Sequence, residues 1–410
     1  MSTLEGSLAG STENVVETAC TMPLPITDLV VDCFRGLRGV SLTDFARVNI
    51  LVGPNNSGKT SVLEILSLAA NPLDPERWMR VATRRDPLGF ALRAGFKRLR
   101  WLFPQDSNND LASSYDGRLA FSVKGELPVH ELRATYRDVR SLAGGSPAQV
   151  FSASDGAPPN VTASGDALPA LADFGAERNG ATIEIDITEG SAGGAARRES
   201  FTWWEDERFE LPRVAPVASV PIQVITPHDH LFPGAAASYS EARRSGNADG
   251  ISTILSLVDP RITGIEVLAA PGTSRQRPEA TIYLRDRSAG LLPLEAFGDG
   301  IRRVLLIATA IASARNGILL IDELETAIHI SALGNAFHWI VEACEANNVQ
   351  LFATTHSLEA IDSLLAADDT PENEDIVGYR LETTHQTVTV RRYGEDLLRR
   401  LRIERGVEVR

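Results

Sequence analysis

The chain has 410 residues, of which 43% are apolar and 23% charged, with a net charge of −14. This length predicts two or three sub-domains. The negative net charge argues against a protein that coats DNA over its whole surface. No apolar run reaches the roughly 18 residues of a membrane span. Three separated cysteines argue against a disulfide framework and fit a reducing cytoplasm.

The N-terminal part begins with a segment that has neither the basic start nor the apolar run of a signal peptide, and we expect a flexible tail over 1–25. Residues 26–35 and 40–52 are rich in branched and aromatic side chains, which predicts two strands. Residues 60–70 carry apolar positions at helical spacing. The predicted order is therefore strand, glycine-rich loop, helix.

The middle of the chain is more varied. Residues 77–101 contain seven arginines and one lysine but a single acidic residue, Asp86. The segment 141–180 is rich in Gly, Ala, Ser and Pro, which is typical of a mobile loop. Residues 237–258 predict a helix with a break near Gly246 and Gly250. Strands are expected in four further segments: 117–137, 181–187, 214–226 and 279–286.

The last third has a clearer pattern. Residues 317–323, "GILLIDE", are a continuous apolar run followed by acids, as expected for a central parallel strand covered on both faces. Residues 349–357 predict a second buried strand that ends in polar side chains. Helices are expected over 301–314 and 330–346.

The glycine loop carries the first chemical motif. "GPNNSGKT", Gly53 to Thr60, fits G-x-x-x-x-G-K-[ST] completely. Glycines let backbone amides turn toward phosphate oxygens, and the following helix adds the positive end of its dipole. Lys59 is expected to reach the β- and γ-phosphates of ATP, and Thr60 to hold Mg²⁺. The expected ATP-binding residues are Gly53, Asn55, Asn56, Ser57, Gly58, Lys59, Thr60 and Ser61.

Three further motifs follow. In "ILLIDELE", Asp322 is expected to bind Mg²⁺ and Glu323 to polarise the attacking water, which is the pattern of a Walker B strand. "FGDGIRR", 297–303, places a Gly-x-Gly turn at a helix start, where backbone amides can face a phosphate. "ATTHS", 353–357, ends the next strand with His356, which can reach a γ-phosphate from there.

These motifs occur in the order found in ABC-type ATPase heads, with a long insertion between the two halves, as in the SMC and RecF group. "FRGLRGVSLTDFARVNILVGPNNSGKTSVLEIL", "DPRITGIEVL", "LEAFGDGIRRVLLIATAIA" and "LLIDELETAIH" more closely resemble the OLD-like AAA family ATPases, which are common in bacterial anti-phage systems. The resemblance covers nearly the whole chain after residue 26, weakly over 106–230. It implies an α/β fold: an ABC-type P-loop ATPase head with a long insertion.

The resemblance also implies a mechanism in which two heads pair head to tail. ATP on the loop of one subunit is closed by the signature turn of the other, so hydrolysis requires a homodimer or higher homo-oligomer. Glu323 is then the catalytic base and His356 the switch residue, with Lys59 as the third catalytic group. The residues expected to act in trans are Gly298, Asp299, Gly300 and Arg302.

This sequence departs from the family pattern at three points. Gly298 stands where transporter-type heads have serine, which removes a phosphate hydrogen bond and predicts slow turnover. Ala327 stands where these ATPases often have glycine. The glutamine that couples Mg²⁺ to the helical lobe is not evident, and Gln105 is the nearest candidate metal-site residue beside Thr60 and Asp322.

The resemblance divides the chain into a tail and three parts. We expect an N-terminal lobe with the phosphate loop, an insertion with a helical region, and a C-terminal lobe with the signature, Walker B and switch motifs. The expected bounds are 1–25, 26–105, 106–290 and 291–410.

Three other segments have both a possible functional role and a purely structural one. His228, Asp229 and His230 could share a metal, but a polar loop after a strand is the commoner role. The basic run 77–101 could bind nucleic-acid phosphates, with Trp78 and Trp101 for stacking, or form a solvated face or a docking surface. The basic segment 391–410 favours a solvated helix.

The main functional hypothesis is a cytoplasmic ATPase that senses or scaffolds within a PARIS-like anti-phage system and controls a separate effector, such as a TOPRIM-type nuclease. Only about 53 residues follow Ser357, and "DDTPENED", 368–375, resembles a loop, so no nuclease domain is expected in this chain. One alternative is a DNA-repair or chromosome-maintenance ATPase that DNA stimulates. Another is a non-catalytic, nucleotide-gated binding module. No membrane partner is expected.

Overall fold

The computed structural model describes most of the chain. Three sequence-based expectations fall largely outside the described residues: the tail over 1–25, the loop over 141–180, and the acidic segment 368–375. The described residues are 23–85, 95–105, 114–142, 151–152, 177–190, 194–205, 220–232, 234–244, 246, 248, 250–269, 280–367, 375–384 and 387–409.

The central sheet is largely parallel and carries the expected apolar strands. Its order is β16-β15-β3-β14-β13-β9, and the edge strand β16 alone runs antiparallel to its neighbour. In β13 every residue is buried, as a strand covered on both faces requires. The strands are β3 (Val48–Val52), β9 (Ile222–Ile225), β13 (Ile318–Ile321), β14 (Gln350–Thr354), β15 (Ile376–Thr384) and β16 (Thr387–Tyr393).

Two apolar cores lie on opposite faces of this sheet. Ile318 and Leu320 of β13 contribute to one core, whereas Leu319 and Ile321 contribute to the other, because successive side chains of a strand point to opposite faces. The first core includes α1 (Lys59–Ala70) and α2 (Pro75–Thr83). The second includes α3 (Ala235–Arg244), α4 (Ile251–Val258), α5 (Asp299–Ser313), α6 (Ile330–Ala346) and α7 (Leu358–Ala367).

An antiparallel sheet covers the first core, with order β2-β1-β4-β5-β7-β8 and β6 paired to β5. Alternate residues of β4 are buried, so one face of this sheet packs inward and the other meets solvent. The strands are β1 (Asp28–Phe34), β2 (Leu37–Leu42), β4 (Asp116–Lys124), β5 (Val129–Leu142), β6 (Phe151–Ser152), β7 (Glu177–Glu189) and β8 (Ala196–Trp204).

The expectation of one strand over 40–52 is wrong. The chain leaves β2 after Leu42, and Asp44 adopts a left-handed backbone with φ 56°. β3 then starts at Val48 in the other sheet. The apolar run is therefore shared between two sheets.

A small third sheet has the order β10-β11-β12. The Asp286 carboxylate accepts backbone N–H bonds from Ser288 (2.8 Å) and Ala289 (3.0 Å), and this closes the turn before β12. The strands are β10 (Ile262–Ala269), β11 (Ala280–Asp286) and β12 (Gly290–Pro293); short helical segments complete the described structure, at Gly95–Leu102, Asp229–Leu231, Leu294–Ala296, α8 (Glu395–Arg399) and Arg400–Glu404.

The strands of the proposed insertion, 106–290, divide among all three sheets. β4 to β8 extend the sheet that begins with β1 and β2, β9 pairs with β13 in the central sheet, and β10 and β11 lie in the third sheet. The proposed boundaries of this insertion or arm with its helical region remain a prediction. The helical pattern of 237–258 corresponds to α3 and α4, on either side of Gly246 and Gly250.

Candidate nucleotide-binding site

The glycine loop joins β3 to α1, as the motif predicts. Gly53 and Gly58 have φ of 137° and 98°, a region that L side chains rarely adopt. A Cβ at Gly53 would collide with the carbonyl oxygen of Leu381, and one at Gly58 with the Leu37 side chain. Gly53 therefore requires glycine for steric as well as conformational reasons, whereas Gly58 requires it for its backbone conformation, because the end of the Leu37 side chain can shift.

The donors of this loop fit a phosphate group. Lys59 is buried, and its Nζ donates to the carbonyl oxygens of Gly53 (2.8 Å) and Pro54 (2.9 Å). Burial lowers the pKa of Lys59, opposed by the nearby carboxylate of Asp322. The buried Ser57 Oγ has no hydrogen-bond partner among the described residues. A phosphate oxygen would supply the partner that this hydroxyl lacks.

Asp322 directly follows β13 and lies at the mouth of the loop. Its Oδ1 accepts hydrogen bonds from Thr60 Oγ1 (3.2 Å) and from Thr354 Oγ1 (2.7 Å). A hydroxyl and a carboxylate this close are the ligand types that Mg²⁺ takes in phosphate-binding sites. The residues present therefore fit Mg²⁺, held by Thr60 and Asp322.

Glu323 follows in a left-handed conformation, with φ 52°. Its N–H donates to Thr354 Oγ1 (2.8 Å), so one hydroxyl contacts both acidic residues. Its Oε2 accepts from Thr326 Oγ1 (3.0 Å). These bonds fix the residue at the cleft.

His356 also lies at the cleft, two residues beyond the end of β14. Its backbone N–H donates to Glu325 Oε1 (2.9 Å), which ties the end of β14 to the loop after Asp322. Gln105 lines the same cleft, and its Nε2 donates to the carbonyl oxygens of Arg100 and Phe103 (both 3.0 Å).

The cleft has a volume of about 1280 Å³. That is large enough for a nucleotide. Besides the acidic groups it is bordered by Arg35, Arg38, Arg85 and Trp101. The predicted site residues that it gathers are Asn55, Asn56, Ser57, Gly58, Lys59, Thr60, Ser61, Gln105, Asp322, Glu323 and His356.

The signature turn lies elsewhere: within the part of the chain that the structure describes, none of its residues lines the cleft. Gly298 precedes α5, and Arg302 contacts Asp299 (3.5 Å) and the Glu295 carbonyl oxygen (3.0 Å). A Cβ at Gly300 would lie 3.0 Å from the Ala327 carbonyl oxygen. The turn thus packs against the loop that follows Glu323, away from its own phosphate loop.

Sequence reasoning missed a buried ion cluster beside the cleft. Glu64 on α1 is fully buried, and its carboxylate contacts Arg35 Nε (2.7 Å) and Arg85 Nε (3.0 Å). Arg85 also donates to Ser61 Oγ (3.0 Å). An acid four residues after Thr60, inside an apolar helical run, was the available signal.

The same contacts bear on the proposed nucleic-acid surface over 77–101. Arg85 is paired with Glu64, and Lys97 with Glu205 (2.9 Å). Arg84 donates to the Ile225 carbonyl oxygen (3.4 Å), and burial lowers its pKa. These basic groups are engaged within the chain. Residues 86–94 of the run lie outside the described part.

The expected alternative of a metal at 228–230 gains no support. Asp229 accepts hydrogen bonds from the N–H (2.7 Å) and Oγ1 (2.6 Å) of Thr226. Across the described ranges, no three His, Cys, Asp or Glu side chains are grouped for a metal ion. The segment forms a polar turn after β9.

None of the described helices combines the length and the apolar character that crossing a bilayer demands.

The parallel sheet, the phosphate loop and the paired acids define a P-loop ATPase of the AAA/ABC type. The family described as "AAA domain, putative AbiEii toxin, Type IV TA system" matches residues 48–124 and 196–362, more than half of the chain. The chain belongs to this AAA domain family.

Individual proteins also match. The uncharacterized protein MJECL11 of Methanocaldococcus jannaschii is 38% identical over 101 residues, which are 25% of this chain and 80% of that protein. An ATP/GTP phosphatase of Helicobacter pylori is 34% identical over 76 residues, 18% of this chain and 20% of that protein.

Among solved structures, the Smc head domain bound to the C-terminal domain of ScpA, from Pyrococcus furiosus, is 11% identical. The match covers 93% of this chain and 99% of that one, with a TM-score of 0.45. This likeness says nothing about function, and the fold class follows from the sheet topology itself.

Proposed function

We propose that this protein binds and hydrolyses ATP with Mg²⁺ at the cleft between β3, β13 and β14. The observation that carries the proposal is the contact of Asp322 with both Thr60 and Thr354, directly beside Lys59. Hydroxyl, carboxylate and amine groups from separate segments converge there on the glycine-rich loop that leads into α1. The match to an ATP/GTP phosphatase supports the same activity, and it covers a short part of this chain.

Each residue has a distinct role in this proposal. Lys59 would leave the loop carbonyls and contact phosphate oxygens, and Ser57 would donate its hydroxyl. Thr60 and Asp322 would hold Mg²⁺, whose positive charge would offset the phosphate charge. Glu323 would accept a proton from the attacking water at a carboxylate oxygen. His356, which also lines the cleft, would orient the terminal phosphate.

We further propose that two copies complete the site. The separation of the signature turn from the cleft of its own chain supports this arrangement. Gly298, Asp299, Gly300 and Arg302 of one copy would close over the nucleotide of the other. Nothing within 4 Å occupies the space where a Gly298 side chain would be, so the turn is open to an approaching partner.

The nucleotide state would control a separate effector protein in a defence system of bacteria. The resemblance to anti-phage ATPases supports this role, as does a family description that includes a toxin of a Type IV TA system. A nucleotide-dependent closure of two heads gives such a protein two states with different partner affinity. Gln105, at the cleft edge, is a position from which closure could be linked to Mg²⁺.

The test of the proposal is hydrolysis by purified wild-type protein, Glu323→Gln and Lys59→Ala. Wild type should release phosphate slowly, and only with Mg²⁺. Glu323→Gln should bind ATP and keep only a small residual rate of turnover, and Lys59→Ala should lose binding. Wild-type protein that binds no ATP would refute the proposal.

The regulatory role needs a second experiment. Pull-down of neighbouring gene products with Glu323→Gln, held in its ATP state, should recover a partner that Lys59→Ala does not. Recovery of no partner in either state would contradict effector control. Stimulation of hydrolysis by DNA instead would favour a chromosome-maintenance role.

A further inference from the structure

Helix α5 contains a fully buried arginine that neither a phosphate-binding nor a signature role explains. Arg303 has no exposed surface, and its guanidinium reaches the ends of two central strands. Nη1 donates to the Thr226 carbonyl oxygen (2.5 Å), after β9. Nη2 donates to the carbonyl oxygens of Asp322 and Glu323 (both 3.1 Å), after β13.

A buried arginine is unusual in a protein core because burying its charge costs free energy. Burial lowers the pKa of Arg303 to about 10, although the carboxylates of Asp229 and Asp322 oppose the shift. Its Nε has no hydrogen-bond partner among the described residues. Buried charges are costly, and apolar side chains of similar volume often serve stability as well or better. Stability alone therefore does not account for it.

The residue that Arg303 contacts is the proposed catalytic base. Glu323 holds a left-handed backbone with φ 52°, which costs energy in a residue other than glycine. Thr354 Oγ1 accepts its N–H, and Arg303 donates to its carbonyl oxygen. Both polar groups of this backbone are thus held from outside the loop.

We propose that Arg303 is a positioning residue that fixes Glu323 for water activation, a claim that rests on the proposed ATP hydrolysis. It is not a nucleotide contact, because it does not line the cleft. It lies in the first turns of α5, the helix that begins at the signature turn. The arginine therefore joins that turn to the hydrolytic residue of its own subunit.

The first test replaces Arg303 by methionine, which keeps an unbranched side chain similar to the aliphatic part of arginine and removes the donors. The expected result is a loss of about 10- to 100-fold in kcat, because small misplacements of catalytic groups cost that much. KM for ATP, and the affinity for a non-hydrolysable ATP analogue measured by calorimetry, should stay within about twofold.

The matched control is Thr309→Val, which changes a buried polar residue on the same helix. The Thr309 hydroxyl donates to carbonyl oxygens of α5 itself, at Leu305 and Leu306 (both 2.9 Å). This variant should lose stability without losing kcat. Equal losses of kcat in Arg303→Met and Thr309→Val would overturn the inference, since helix damage alone would explain both.

A double-mutant cycle with Glu323→Gln separates positioning from a general structural role. If Arg303 acts through Glu323, adding Arg303→Met to Glu323→Gln should cause no further loss of turnover. A further loss as large as in the wild-type background would overturn the inference. If Arg303→Met does not fold, Arg303→Gln is judged by the same criteria. Wild-type protein without any hydrolysis would remove the proposed function, and this inference with it.

Discussion

Replacing Glu64 by methionine should destabilise the protein strongly. The carboxylate is fully buried on α1, one turn after Thr60, and lies 2.7 Å from Arg35 Nε and 3.0 Å from Arg85 Nε. Removing one partner of a buried ion pair leaves an unpaired buried charge, which costs about 3–5 kcal/mol. The free energy of unfolding should fall by about that amount.

The two arginines should share this loss unequally. Only 12% of the Arg35 side chain is exposed, so water cannot solvate its charge when Glu64 is removed. Arg85 is 49% exposed, and water screens its interaction to about 1 kcal/mol or less. Double-mutant cycles should therefore give a much larger coupling between Glu64 and Arg35 than between Glu64 and Arg85.

Urea unfolding of the single and double variants measures these couplings. The control is Glu76→Ala, which breaks an exposed ion pair with Arg80 on α2 and should cost less than about 1 kcal/mol. A Glu64→Met cost as small as the control, or a larger coupling to Arg85 than to Arg35, would refute this reasoning.

Three further changes have defined outcomes. Gly53→Ala should abolish ATP binding in calorimetry, because its Cβ would meet the Leu381 carbonyl oxygen; normal affinity would contradict the loop geometry. Thr354→Val removes the hydroxyl beside Asp322 and should lower kcat about 10-fold or more, and unchanged turnover would count against that contact. Gln350→Leu removes buried bonds to Ile26 and should cost about 1–3 kcal/mol in urea unfolding without changing nucleotide affinity; a shifted affinity would show that the effect reaches the cleft.

Local patterns in the sequence predicted the centre of the fold well. The run 317–323 was expected to be a central parallel strand, and β13 lies between β14 and β9 with every residue buried. The prediction over 40–52 was wrong because the turn at Asp44 interrupts an otherwise continuous β pattern. Nothing in the periodicity marks that left-handed residue, so the division between two sheets was not predictable.

The candidate site, like the fold, was predicted from the sequence only in part. Motif spacing predicted one site from the phosphate loop, Asp322, Glu323 and His356, and these residues line one cleft, while the roles assigned to them remain predictions. The contacts of Glu64 with Arg35 and of Arg303 with the carbonyl oxygens after β13 depend on tertiary proximity. Short-range pattern can mark Glu64 as an acid in an apolar helical run, but it does not identify the partners, because they are about 20 or more residues apart in sequence.

The central claim is that one copy completes the ATP site of another, and mixing two inactive variants tests it most directly. Lys59→Ala disables the phosphate loop, while Gly298→Leu blocks the signature turn at a position with open space around it. Each variant alone should be inactive. An equal mixture should recover about a quarter of wild-type hydrolysis, since half of the dimers are mixed and each has one intact site. A mixture that stays as inactive as its components would contradict the account.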